Sequence, residues 1–257
     1  MRTLKRAGAG LLALTVATGL AACGDDDDTT SDTTTTAAAG AGAAFCDAVI
    51  EFNTAVFQVD VHEESTTDEV VEVGEQLAPL SQAIVDNAPD EVADAAAGVD
   101  DFVQPMLDGD AEAFNADATF DTYTTFLGQA SEACAFQEVA VSGVDYAFEG
   151  VPDTIEAGNV SFAFTNNSEA EEHEMGLIRK KDGVSLTFEE ILNLPEDEGE
   201  QHSEFITITF APPGGESSTL ANLTPGDYAM VCFIPVGGQE GGKPHFAEGM
   251  IHEFTVE

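Results

Sequence analysis

Four residues in the C-terminal part of this 257-residue chain are of types that bind soft or borderline metals. Cys232 opens a Gly-rich stretch, Cys232-Phe-Ile-Pro-Val-Gly-Gly-Gln-Glu-Gly-Gly-Lys-Pro-His245, and Met250 follows shortly after it. A further imidazole, His173, stands upstream in Glu171-Glu172-His173-Glu174-Met175. A thiolate, two imidazoles and a weak thioether suit copper, which accepts such a set as both Cu(I) and Cu(II). Each residue also has a plainer reading. A Cys at a strand end is commonly a small buried hydrophobe, and Met250 can serve as core packing. Met175 and Met230 are read as core. His252 between Ile251 and Phe254, His202 in an acidic loop and His62 at a helix end are read as surface residues, not ligands.

The other cysteines have separate explanations. A basic head (Arg2, Lys5, Arg6) precedes an apolar run, Leu11 to Leu20, that is too short to span a bilayer comfortably. The run closes in Leu20-Ala21-Ala22-Cys23-Gly24. That segment resembles the bacterial lipobox, in which the Cys is acylated and becomes the mature N-terminus. The resemblance implies a signal peptide over 1–22, a lipid on Cys23 and an extracytoplasmic protein attached to the cell membrane. Residues 23–42 read as a disordered acidic, Thr-, Ala- and Gly-rich tether whose ends would sit about 25 Å apart. Cys46 and Cys134 bracket one segment of a chain in an oxidising compartment and are expected to pair. Cys232 is then left alone.

The formal net charge is −42, from 7 basic and 49 acidic residues. Three of the basic residues lie in the signal, so the remainder keeps only Arg179, Lys180, Lys181 and Lys243. Such a surface repels nucleic acid and anionic headgroups, and attracts cations or basic proteins. Solubility or a salty habitat explains the acidity more simply than a dedicated docking face. No Gly-rich phosphate loop followed by Lys and Ser/Thr is present, and no Ser/His/Asp nucleophilic order stands out.

Two regions must position the four residues. Residues 43–137 carry helical periodicity, clearest in Val70, Val73, Leu77, Leu80 and Ile84 behind the start signal Thr66-Thr67-Asp68. Pro79 within that run is expected to kink the helix. With Phe45-Val49-Phe52-Val56, Val92-Val99-Phe102-Val103-Met106 and Phe120-Tyr123-Phe126-Leu127, these patterns predict a four-helix bundle whose first and last helices are joined by Cys46–Cys134. Residues 138–257 are β-rich. Runs at Val139–Val144, Val160–Phe164, Phe205–Phe210, Tyr228–Phe233 and Ile251–Val256 are divided by turns such as Ala157-Gly158-Asn159 and Pro212-Pro213-Gly214-Gly215. One short helix is expected between Leu186 and Leu194. The fold class is therefore α+β multidomain, a helical bundle followed by a β-sandwich.

The sandwich region resembles the cupredoxins, the plastocyanin- and azurin-like blue-copper proteins. The features that carry the resemblance are Tyr228-x-Met230-x-Cys232, Pro235, His245 and Gly249-Met250 leading into the last strand, with His173 upstream after the strand ending at Asn166. It implies one type 1 copper ion held by His173, Cys232 and His245 with Met250 as the axial ligand. Two departures stand out. The Cys-to-His loop, Phe233 to Pro244, is longer and more Gly-rich than in plastocyanin-like proteins, and Glu174 stands where the family often has a steadying Asn. The function implied is a membrane-tethered carrier of single electrons, not an enzyme, with a redox partner docking near His245. A multicopper oxidase would need paired His-x-His motifs and more than the five imidazoles here. The competing readings are a copper buffer without redox duty and a metal-free interaction or adhesion lipoprotein on a degenerate sandwich.

Overall fold

The computed structural model describes residues 41–257 apart from 60, 62–64, 115 and 240. Cys23, the signal, most of the tether and His62 lie outside the described residues.

The helical part contains α1 (Ala43–Val56), α2 (Thr67–Asn87), α3 (Ala93–Leu107), the single turn α4 (Ala111–Phe114) and α5 (Asp117–Cys134). The start of α2 is fixed by a capping box. Thr66 N donates to Glu69 Oε2 at 2.8 Å while Glu69 N donates to Thr66 Oγ1 at 3.4 Å. Val70, Leu77 and Ile84, seven residues apart, are its fully buried stripe. Pro79 lies inside this helix without ending it. Pro79 and Glu75, whose carbonyl loses its donor, are both exposed, so water can take the place of the missing bond. Gly74 lets α2 approach α3, since a Cβ there would sit 2.7 Å from Leu107 N. The expected disulfide is present. Cys46 and Cys134 are joined with 5.7 Å between their Cα atoms, tying the start of α1 to the end of α5.

Among the described residues nine strands follow: β1 (Gln137–Val144), β2 (Ala147–Glu149), β3 (Thr154–Ile155), β4 (Gly158–Asn166), β5 (His173–Lys180), β6 (Ser203–Ala211), β7 (Glu216–Leu223), β8 (Gly226–Val231) and β9 (Ile251–Val256). One sheet has the order β2-β1-β4-β7 and the other β3-β9-β8-β5-β6. The pairs β1–β4 and β3–β9 are parallel, whereas the other pairings are antiparallel. Alternate residues of both sheets, such as Val139, Val141, Phe162, Phe164, Met175, Leu177, Tyr228, Met230 and Phe254, fill the space between them. This is the sandwich that the cupredoxin resemblance implied. Met175 and Met230 lie in that core, as read from the sequence. The short helical insert is α6 (Phe188–Leu192), with one more turn, α7 (Glu196–Gly199), behind it.

The bundle and the sandwich share an interface. Strands β6 and β7 are the edges of their sheets, and the helices lie against that side. Asn53 Nδ2 donates to Leu220 O at 2.7 Å and Tyr123 Oη donates to Asn53 Oδ1 at 2.8 Å. Leu220 of β7 is buried in the helical core, and the Phe120 ring meets Phe210 of β6 edge-on at 5.5 Å. Covering the two edges removes the free pairing surface that an open sandwich would present.

Candidate metal centre

The site follows from the register of two neighbouring strands. Strands β5 and β8 are antiparallel, and their pairing reaches Gly176↔Val231. Continuing that register sets Met175 beside Cys232 and leaves His173 diagonal to it on the same inward face, within reach of a long side chain. His173, Cys232 and His245 are all fully buried.

Backbone bonds then fold the Gly-rich loop back onto Cys232. Val236 N donates to Lys243 O at 3.0 Å, and His245 N to Ile234 O at 2.9 Å. Phe246 N donates to Cys232 O at 2.9 Å, Met250 N to His245 O at 3.0 Å, and Cys232 N to Met250 O at 3.2 Å. Gly249, with φ of +118°, makes the turn that brings Met250 beneath His245. The loop's extra length therefore does not open the centre to water. Instead the Tyr146 ring packs edge-on against the His245 imidazole at 5.0 Å.

Ligand-type atoms of His173, Cys232 and His245 all lie within 4.8 Å of one another. His173 Nδ1 is 3.1 Å from His245 Nδ1, and Cys232 Sγ is 3.3 Å from the latter. Burial pulls both imidazoles below their ordinary pKa, and for His173 the neighbouring His245 adds to this. Two neutral rings facing each other through Nδ1 can share at most one proton. Both outward Nε2 atoms are buried without a hydrogen-bond partner. A cation that accepts two ring nitrogens and a sulfur relieves that inward crowding, and the N₂S set is the trigonal donor set of blue-copper sites. The residues fit the ion.

Met250 is fully buried at the start of β9, its Cε 3.4 Å from where a Cβ on Gly143 would stand. His202 and His252 stay outside the cluster.

Burial pushes the Cys232 thiol up to about 12, with the charges of Glu174 and Glu172 adding to this. A metal must therefore displace its proton, which couples binding to pH. The Glu174 N–H points at Cys232 Sγ at 3.5 Å, a contact that favours the thiolate once formed. Glu174 also braces the centre through its side chain. Its Oε1 accepts from Phe233 N at 2.6 Å and ties the His173 strand to the residue after Cys232.

That carboxyl is buried, and burial raises it to about 7 despite the Phe233 bond. Between about pH 4.5 and 7 the folded, metal-free chain holds a proton that the unfolded chain has lost. Stability therefore falls as pH rises across that window, by about 3 kcal/mol in all. Glu174→Gln keeps an acceptor for Phe233 N, so urea unfolding of the metal-free variant should show this slope removed and higher stability at pH 8.

Sequence reasoning did not find Asp145, Tyr146 or a role for Glu171 at the centre. Asp145 Oδ1 is 3.8 Å from His173 Nε2, and Glu171 Oε2 is 3.7 Å from His245 Nε2. Glu171 Oε2 also accepts from Gly237 N at 3.1 Å. No local pattern marks them: Asp145 and Tyr146 form the two-residue turn between β1 and β2, where Tyr146 has φ of +61°.

The sandwich is similar to several solved structures. Reduced auracyanin from Roseiflexus castenholzii is 21% identical at a TM-score of 0.32, covering 47% of this chain and 97% of its own. Auracyanin A, a "blue" copper protein from Chloroflexus aurantiacus, is 19% identical at a TM-score of 0.31, with 47% and 98% covered. Rusticyanin from Thiobacillus ferrooxidans is 19% identical at 0.32, with 47% and 76% covered. A multicopper oxidase from Pediococcus acidilactici is 12% identical at 0.29, and only 26% of that chain is covered. No family model and no curated protein match the chain.

Proposed function

We propose that this protein is a membrane-anchored, extracytoplasmic copper protein that carries single electrons and is not an enzyme. The observation that carries the reading is the buried convergence of two Nδ1 atoms and one Sγ at the end of a cupredoxin-like sandwich. Copper, when bound, supplies the one-electron change. The chain holds His173, Cys232 and His245 by strand register and by the ribbon of backbone bonds from Cys232 to Met250. Rigid, dry ligands keep the coordination alike in both oxidation states, so little reorganisation opposes transfer.

Met250 is the axial ligand in this reading, supported by its burial and by its backbone bonds to Cys232 and His245. The lipobox-like segment supports a lipid on Cys23. Among the described residues no helix is long and apolar enough to cross a membrane. A redox partner docks near His245, and the acidic surface favours a basic one.

The test is the mature chain mixed with Cu(II). An intense blue thiolate charge-transfer band that bleaches and returns on reduction and reoxidation is expected. Copper uptake without that colour would leave only a buffering role, and no uptake would leave an interaction module. Met250→Leu should keep the colour and raise the potential, because loss of the thioether weakens the oxidised state more than the reduced one. Cyclic voltammetry reads the shift, and an unmoved potential would remove Met250 from the ligand set.

A further inference from the structure

Each of the two imidazoles has a carboxylate facing its outward nitrogen, and the two carboxylates come from separate parts of the chain. Asp145 lies in the β1–β2 turn and stands 3.8 Å from His173 Nε2. Glu171 lies in the segment before β5 and stands 3.7 Å from His245 Nε2. Those nitrogens are fully buried and have no other polar partner. Glu171 is held in place from two directions. Its carboxylate accepts from Gly237 N at 3.1 Å, and its carbonyl accepts from Asn166 Nδ2 at 2.9 Å. Its side chain is 20% exposed, against 63% for Asp145, so water screens it less.

We infer that Asp145 and Glu171 are positioning residues that orient the two imidazoles and, through their charge, favour a divalent over a monovalent ion at the centre. The physics is direct. A carboxylate behind a ligating imidazole raises the basicity of the ring and fixes its orientation. Its field stabilises each added positive charge at the ion, and more strongly where burial lowers the local dielectric. Copper(II) therefore gains more than copper(I), and the carboxylates hold the reduction potential down. Glu171 outweighs Asp145 because it is better shielded from water. The potential arm of this inference rests on the copper reading, whereas the preference for a divalent ion does not.

The experiment compares the mature chain with Glu171→Gln, Glu171→Asp and Asp145→Asn. Zn(II) and Cu(I) affinities are measured by chelator competition, and the copper potential by voltammetry. Glu171→Gln keeps an oxygen for Gly237 N and removes the charge. It should lower Zn(II) affinity about tenfold and Cu(I) affinity less. Each tenfold fall in the ratio of Cu(II) to Cu(I) affinity raises the potential by about 59 mV. Asp145→Asn should shift both readouts in the same direction by less. Glu171→Asp retains the charge and should stay within about threefold of wild type, well inside the change expected from losing the carboxylate.

Equal losses of Zn(II) and Cu(I) with an unmoved potential would reduce both carboxylates to a structural role and overturn the inference. So would unchanged Zn(II) affinity in Glu171→Gln, failure of the wild-type chain to bind Zn(II), or a Glu171→Asp variant that behaves like Glu171→Gln. If Cu(II) gives no thiolate colour but the Zn(II) and Cu(I) differences hold, the electron-carrier reading falls and the role of the two carboxylates stands.

Discussion

Cys232→Ser is expected to abolish the blue colour and to weaken copper binding by more than the 10–100-fold typical of losing an outer partner. A serine hydroxyl is a hard donor that stays protonated, so neither the thiolate bond nor its charge-transfer band can form. Two neutral imidazoles would remain, and Cu(I), which most needs the soft sulfur, should lose the most. The fold should persist. Cys232 sits at the end of β8 with its backbone bonded to Met250 and Phe246, and the Glu174 N–H remains to meet the serine oxygen. Titration of wild type and variant with Cu(II), followed by visible absorption and circular dichroism, separates loss of the site from loss of the domain. A variant that still turned blue would remove Cys232 from the centre.

The second large effect lies far from the metal. Removing the Cys46–Cys134 bond, as in the Cys46→Ala/Cys134→Ala double variant, should destabilise the helical part by about 4.5 kcal/mol. That figure is the chain-entropy value for a closed loop of this length, with 88 residues of separation. The bond encloses almost the whole bundle, and the start of α1 is otherwise held by Ala41 N donating to Ala133 O at 2.9 Å and by the packing of residues such as Phe45, Val49 and Phe52. Urea unfolding followed by helical circular dichroism should show the loss. The copper band should be retained at low urea, because the strands and the loop that hold the ligands are bonded within the sandwich. A variant of unchanged stability would mean that packing alone closes the bundle. Simultaneous loss of colour would mean that the helices covering β6 and β7 are needed to keep the sandwich shut.

Glu174 shows how a departure in sequence can be made good in space. A carboxylate stands where the cupredoxin resemblance leads one to expect an amide. Glu174 nevertheless makes the cross-strand bond through Oε1 to Phe233 N, at the cost of a raised pKa in a buried position. The long Gly-rich loop behaves similarly. Its composition suggests openness, but its backbone pairs with itself across Pro235 and Pro244 and leaves His245 fully buried. Three residues with positive φ, Gly237, Gly238 and Gly241, let it do so.

Local pattern by itself determined the division into helical and β-rich parts and most of their elements, whereas the pairing of Cys46 with Cys134 was read from the cysteine count and the export that the lipobox resemblance implies. A period of 3.6 or 2 is written into neighbouring residues and survives any tertiary arrangement. The order Cys232, His245, Met250 was also legible, because all three flank one loop. His173 was tied to them by resemblance alone, and the tertiary structure supplied the cause in the β5–β8 register. Other features had no local signature at all. Asp145 and Glu171 meet the imidazoles, Tyr146 covers His245 and the helices close the β6–β7 side only because segments distant in sequence are brought side by side. Contacts of that kind depend on how whole elements dock, and no periodicity within a single segment encodes them.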